Sequence, residues 1–339
     1  MAWYNALGQS ADTVISTRVR LARNVNGYPF GSILDANGAN ELIEKLGAPL
    51  EGAGFRKIHF SDVSPIMATS YVERHYVSPE FAIKESPHAL FLQESKGLAL
   101  MCCEEDHLRI QCILPGLALE DAYDGAMKTE RLLDEAFDFA YDEQIGYLTH
   151  CPTNLGTGLR ASVMMFLPAL TRGGYMSALA NRLTKIGLTV RGIFGEGSGS
   201  GGCMYQISNR VTLGVSEAEI LKKLGDTVRQ ISESEQKARR AIQGDSLERL
   251  TDHIKRSEGI LKYAHMIGTS EFIKLFSDVR FGITLGIVSG ISYEQLGTLL
   301  VEGMPAMLMM SSENTPKGEV ARDKARAQKI RAILDCTAE

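Results

Sequence analysis

Through residues 1 to about 232, short apolar runs of strand character alternate with longer stretches of helical spacing. FRKIHF, ALFLQE, LALMCCE, HLRIQCI, IGYLTH, LTVRGIF and CMYQISN read as strands. In VISTRVRL the period of two is sharper: Ile15, Thr17, Val19 and Leu21 take one face, and Ser16, Arg18 and Arg20 the other. Between HLRIQCI and IGYLTH, LALEDAYDGAMKTERLLDEAFDFAYDE spaces its apolar residues as one long helix does. Sequential strands followed by long helices predict an α+β fold, an antiparallel sheet flanked by helices rather than repeated βαβ units.

The pattern changes near residue 232. SESEQKARRAIQGDS, Ser232 to Ser246, is charged and lacks a core stripe, so a helix is expected to run into a linker over 233–246. LERLTDHIKRSEGILKYAHM, TSEFIKLFSDVRFGITLGI, SYEQLGTLLVEG and KGEVARDKARAQKIRAIL are then all helical in spacing. They predict an all-helical C-terminal domain over 247–339, behind a first domain over 1–232.

Composition narrows the function. The length of 339 residues suits two domains. With 36 Lys and Arg against 41 Asp and Glu, the net charge of -5 supplies no general pull toward nucleic acid. No apolar run approaches the roughly 20 residues that cross a bilayer, and MAWYNALGQSAD lacks a basic-then-apolar leader. The expected location is therefore the cytoplasm, away from membranes. Six cysteines, three of them within Cys102 to Cys112, suit reduced thiols better than a disulfide framework.

The candidate chemistry lies in the arginines. In EEDHLRIQCI an extended reading puts Glu105, His107, Arg109 and Gln111 on one face, and Leu108, Ile110 and Cys112 on the other. Arg160 follows the glycine turn of CPTNLGTGLRASV, where a helix would begin, and Arg191 precedes IFGE. Planar guanidinium groups bind phosphate oxygens bidentately, so a nucleoside triphosphate is the economical common ligand. Other phosphate motifs fail. Gly156 to Ala161 fits G-x-G-x-x-A, but no Asp or Glu follows through Gly195 to hold a ribose. Gly197, Gly199 and Gly202 precede a strand rather than a helix, and no P-loop motif occurs. Cys102 and Cys112 alternate away from Cys103 and His107, so the four cannot converge on one metal ion. Cys151 adjoins His150, yet neighbours in an extended segment point apart and no third group is evident for nucleophilic catalysis.

STRVRLARN, EEDHLRI, CPTNLGTGLRASV and RGIFGE followed by GGCMYQISN resemble, in order and approximate spacing, the signature segments of the guanidino (phosphagen) kinases. The resemblance implies that ATP with Mg²⁺ phosphorylates a guanidinium nitrogen. It implies that Arg18, Arg20, Arg109, Arg160 and Arg191 cradle the phosphates. Ser16, Thr17, Val19, Ala161, Ser162, Val163, Met164, Gly192, Ile193, Phe194 and Gly195 fall in the same ATP-binding segments. His75 in ERHYVSPEF resembles a histidine that packs on adenine, Glu105 and Glu196 the carboxylates that grip the guanidinium, and Cys151 the thiolate beside it. No protein ligand for the metal is implied, since the nucleotide phosphates hold Mg²⁺.

Creatine and arginine kinases place a helical domain before the first arginine motif, whereas Arg18 stands near the start here. Cys103 stands where they usually have asparagine, Met164 stands where some have a second adenine-contacting histidine, and a further helical domain follows. This layout resembles the bacterial protein-arginine kinases, which phosphorylate arginines in proteins and mark them for a Clp-type protease. RDKARA resembles their phosphoarginine-sensing motif, implying an allosteric site at Arg322, Asp323, Arg326 and Ala327. The partners implied are protein substrates with exposed arginines, a Clp-type unfoldase or protease, an activator protein and a second copy in a homodimer. Two alternatives stay open: a kinase for a small free guanidino compound, and a phosphoarginine-binding adaptor, which the presence of both Glu105 and Glu196 disfavours.

Overall fold

A computed structural model of the chain describes residues 2–192, 202–311 and 318–335. The strands are β1 (Val14–Arg23), β2 (Arg56–His59), β3 (Ala89–Gln93), β4 (Leu98–Cys102), β5 (Leu108–Pro115), β6 (Tyr141–Asp142), β7 (Gly146–Tyr147), β8 (Leu159–Phe166), β9 (Leu188–Gly192) and β10 (Met204–Asn209). The first helices are α1 (Ala36–Gly52), α2 (Pro65–Glu73), α3 (Pro79–Ala82), α4 (Leu119–Asp134), α5 (Pro168–Arg172), α6 (Met176–Lys185) and α7 (Glu217–Arg240). After them come α8 (Asp245–Tyr263), α9 (Thr269–Thr284), α10 (Tyr293–Glu302), α11 (Pro305–Ser311) and α12 (Glu319–Asp335). An eight-stranded antiparallel sheet runs in the order β2-β3-β4-β5-β1-β8-β10-β9. The class is α+β with an all-helical C-terminal part, as the apolar periodicities predict.

One face of the sheet is covered because alternate residues demand it. Val19, Leu21, Ile110, Ala161 and Val163 bury against Leu42 and Leu46 of α1, Ala122 and Ala126 of α4, and Leu224 and Val228 of α7. Among the described residues no helix is long and apolar enough to cross a membrane.

Three local expectations are corrected. Residues 159–166 form a strand, not the start of a helix, because β1 and β10 pair on either side of ASVMMF. The predicted long helix stops at Asp134. Its intended tail is drawn back to the end of β1, where Val25 bridges Phe139 and Ala140 N–H donates to the Asn24 carbonyl at 2.8 Å. That pairing leaves IGYLTH only the two strand residues of β7.

The charged stretch after 232 is anchored by buried ions. Glu235 accepts from Ala169 and Leu170 N–H at 2.9 Å each, and Arg239 bonds to both Glu235 and Asp12. α7 runs unbroken to Arg240, and the turn to α8 falls at Gly244 with a φ of +56°. The helices beyond share an apolar core with Phe166, Ala169 and Met204 of the first part.

Candidate active site

Residues directly opposite each other in antiparallel strands point to the same side of a sheet. Arg20 lies opposite Gln111 and Arg160, Arg18 opposite Ile113 and Ser162, and Ser16 opposite Met164. Gln206 continues the row, pairing with Met164 and Arg191, while Arg109 pairs with Ala22 on the Arg20 side. Arg18, Arg20, Arg109, Arg160 and Arg191 are thereby gathered on the sheet face opposite the one that α1, α4 and α7 cover. Over it lies a cavity of about 460 Å³ lined by Ser16, Arg18, Arg20, His75, Arg109, Ser162, Met164, Arg191 and Gly192. Arg160 opens onto an adjoining cavity of about 360 Å³, which Arg191 and Arg210 also line.

The remaining side chains of these segments do not face the cavity. Val19, Ala161 and Val163 are fully buried in the opposite core, and Thr17 donates its hydroxyl hydrogen to the Gly116 carbonyl at 2.6 Å. Strand alternation places them there. Ile193, Phe194, Gly195 and Glu196 lie outside the described residues.

The charge of the platform is only partly compensated, by Glu104 on Arg109. Like charges directly opposite on neighbouring strands repel, and Arg20 faces Arg160. Burial, then Arg109 and Arg160, push the pKa of Arg18 down to about 10. Burial, then Arg18, Arg109 and Arg160, drive that of Arg20 well below its usual range. Arg160 is lowered by burial, then by Arg191 and Arg109, with Cys151 near enough to oppose the shift. Among the described residues the Nε atoms of Arg20 and Arg160 are buried and meet no acceptor. A multiply charged phosphate ligand supplies the missing acceptors and the missing negative charge together.

His75 closes one end of the cavity. Its φ of +62° is left-handed, and its ring stacks on Trp3 with centroids 5.2 Å apart. Gln111 Nε2 donates to the His75 carbonyl at 2.8 Å, tying the turn to the sheet. Burial, then Arg18, push its pKa down to about 3, so the ring stays neutral and offers an apolar face. Trp3 carried no signal in the sequence, because its partner lies far along the chain.

The acceptor side differs from the extended reading. β5 begins only at Leu108, and Cys103, at a φ of +62°, starts a tight turn closed by its N–H to the His107 carbonyl at 2.8 Å. Glu105 and His107 are therefore not in strand register with Arg109. The carboxylate that meets Arg109 is Glu104, at 2.5 Å, which also accepts from the Ser78 hydroxyl at 2.7 Å. His107 is buried away from the platform: Val25 N–H donates to Nδ1, which assigns the proton to Nε2, 3.0 Å from the Pro29 carbonyl. Glu105 is exposed and lines a second cavity of about 470 Å³ with Lys84, Glu104, Asp106, His107 and His150. Cys151 is half-buried, its sulfur 3.0 Å from Thr153 Oγ1.

Of the C-terminal quartet, Arg326 and Ala327 are buried. Arg326 is 1% exposed and donates to the Gly303 and Ile267 carbonyls, to Asp323 Oδ1 and to Thr269 Oγ1 at 2.6 to 2.8 Å. Ala327 is fully buried. Arg326 therefore braces α12 against the starts of α9 and α11 rather than sharing an open face with the half-buried Arg322.

Comparison with known proteins agrees with this geometry. Residues 40–238 match the family model of the ATP:guanido phosphotransferase C-terminal catalytic domain, and residues 247–339 that of the protein-arginine kinase McsB C-terminal domain. A protein-arginine kinase from Pelotomaculum thermopropionicum is 40% identical over 338 residues, covering 97% of this chain and 94% of the relative. One from Caldanaerobacter subterraneus subsp. tengcongensis is 42% identical over 303 residues, covering 88% and 90%. Among solved structures, the duplicated taurocyamine kinase of Schistosoma mansoni with bound transition-state-analogue components superposes with a TM-score of 0.61 at 24% identity, covering 78% of this chain and 41% of that one. A lombricine kinase gives 0.58 at 22% identity, covering 69% and 70%.

Proposed function

The chain belongs to the ATP:guanido phosphotransferase family, in its protein-arginine kinase branch, and is an ATP-dependent phosphotransferase; from that premise we propose that it phosphorylates arginine side chains in proteins. The observation that carries the reading is the juxtaposition of an arginine platform short of acceptors with a neighbouring cavity edged by Glu104, Glu105 and Asp106. The first suits a polyphosphate and the second a cation.

A guanidinium is protonated at any ordinary pH, so its nitrogen attacks phosphorus only when held in line and relieved of a proton. Glu105 takes that proton as the N–P bond forms and the bond from phosphorus to the departing ADP oxygen breaks. On family grounds Cys151 is assigned to orienting the acceptor and Glu196 to the second carboxylate. Arg18, Arg20, Arg109, Arg160 and Arg191 hold the phosphates and stabilise charge on the equatorial oxygens. His75 packs on the base. On family grounds Mg²⁺ would be carried on the nucleotide phosphates.

On family grounds we assign catalysis to residues 1–232, with 233–246 as connector and 247–339 as a phosphoarginine-responsive domain. Its use of Arg322, Asp323 and Arg326 would require Arg326 to exchange its present partners. The same grounds support a cytoplasmic homodimer that works with an activator and passes its products to a Clp-type protease.

The test is incubation with ATP, Mg²⁺ and either casein or free arginine, reading acid-labile phosphate. Casein should be the better acceptor; faster turnover of free arginine would reverse the substrate assignment. Glu105→Gln should lower kcat on the order of 10²–10⁴-fold with ATP affinity retained.

A further inference from the structure

We propose that Asn24 is a positioning residue that holds the loops bearing Glu105 and Cys151 in register with the phosphate-binding arginines. The inference rests on the roles proposed above for those two residues.

Asn24 directly follows β1, the strand that carries Arg18 and Arg20, and is fully buried. Its Nδ2 donates to Asp106 Oδ1 at 2.7 Å and to the Leu148 carbonyl at 3.0 Å, while its Oδ1 accepts from His107 N–H at 2.9 Å. The same Asp106 oxygen accepts from His150 N–H at 2.7 Å. The residue after Glu105 and the residue before Cys151 thus meet on one carboxylate oxygen, and Asn24 holds it.

Arg23 adds a clamp at the far end of the Cys151 loop. Its Nη1 donates to the Thr157 carbonyl at 3.1 Å, and its guanidinium lies 3.4 Å from the centre of the Tyr147 ring. Glu130 fixes both, accepting from Arg23 Nε at 3.0 Å and from the Tyr147 hydroxyl at 2.9 Å.

The chemistry explains why such a pin is needed. β1 sets where the γ-phosphorus lies, but the acceptor groups come from two loops, between β4 and β5 and between β7 and β8, that lie outside the strands. In-line attack tolerates little misplacement, and an error of about 1 Å costs on the order of 10²-fold in rate. Only an amide offers two donors and an acceptor from so short a side chain. Aspartate at this position has no donor and would set a carboxylate against Asp106.

The experiment compares Asn24→Asp with the near-isosteric Asp106→Asn, whose Oδ1 can still accept from Asn24 and His150. Asn24→Asp should lower kcat on a protein acceptor on the order of 10²-fold at unchanged ATP dissociation constant. Hydrogen exchange should rise together over residues 103–107 and 148–152, and the rate of Cys151 alkylation by iodoacetamide should change. Asp106→Asn, which removes charge from the acceptor cavity but keeps the Oδ1 that accepts from Asn24 and His150, should keep the exchange protection of both loops. Should Asn24→Asp not fold, Asn24→Ser, which retains one donor, is read in the same assays. Exchange unchanged in either loop after Asn24→Asp, ATP affinity falling in step with kcat, or Asp106→Asn raising exchange as much as Asn24→Asp would each overturn the proposal. Exchange and alkylation need no turnover, so they decide on Asn24 even if the wild-type protein transfers nothing to arginine.

Discussion

Two sets of arginines sit deep in this molecule and are treated in opposite ways. Arg326, Arg239 and Arg23 are 6% exposed or less, and each is met by a carboxylate and by backbone carbonyls. Arg18, Arg20 and Arg160 are half-buried and crowd one another, and the Nε atoms of two of them are orphaned. A buried charge is costly unless paired, so the first set contributes to folding and the second holds a charge imbalance that a ligand must settle. Arg280 lies between: its Nε is orphaned too, but it donates to the Ala11 carbonyl and lies over the Phe166 and Tyr293 rings. The orphaned atom marks a ligand site only where like charges gather over a cavity.

The comparison breaks if the two sets respond alike to truncation. Arg326→Ala should cost about 3–5 kcal/mol of stability by urea denaturation, because it strips a buried ion pair, with turnover per folded molecule little changed. Arg160→Ala should do the reverse, lowering kcat/KM on the order of 10²–10³-fold while the melting temperature holds or rises as repulsion across the strands is relieved. A large loss of stability in Arg160→Ala would move it into the structural set.

Nucleotide sharpens the contrast. At about 100 times its Kd, ATP should stabilise the protein by about 2.7 kcal/mol, read by calorimetry. At that same ATP concentration, much of the gain should vanish in Arg160→Ala and survive in Arg326→Ala.

The smallest effect belongs to His75. Its pKa falls from 6.5 to about 3 on folding, so between those values the unfolded state binds more protons and stability falls as pH falls. His75→Asn, tolerated at a positive φ, should show a shallower loss of melting temperature from pH 6.5 to 5. Parallel slopes would mean that the ring is not kept neutral.

The positions of Arg18 and Arg20 were legible in VISTRVRL because alternation is a local property, and the strand keeps it with Val19 and Leu21 at 0% exposure. The same rule misled one motif later. EEDH turns sharply before β5, so the carboxylate on Arg109 is Glu104, and Glu105 looks into a different cavity. RDKARA shows the same limit of local spacing. Helical spacing does align residues 322 and 326, but the spacing says nothing of the Gly303 and Ile267 carbonyls that claim Arg326.

Apolar periodicity, ordered motifs and the spacing of arginines along β1 were therefore enough for the class, the order of the two parts and the face that carries Arg18 and Arg20, since all of these depend on neighbours within a few residues. Tertiary structure alone decided that residues 159–166 are a strand between β1 and β10, that Asn24 joins Asp106 to Leu148, and that Arg326 is spent while Arg20 is not. Each depends on a partner many residues away, and a hydrogen bond or a strand pairing has no existence until the fold brings its two halves together.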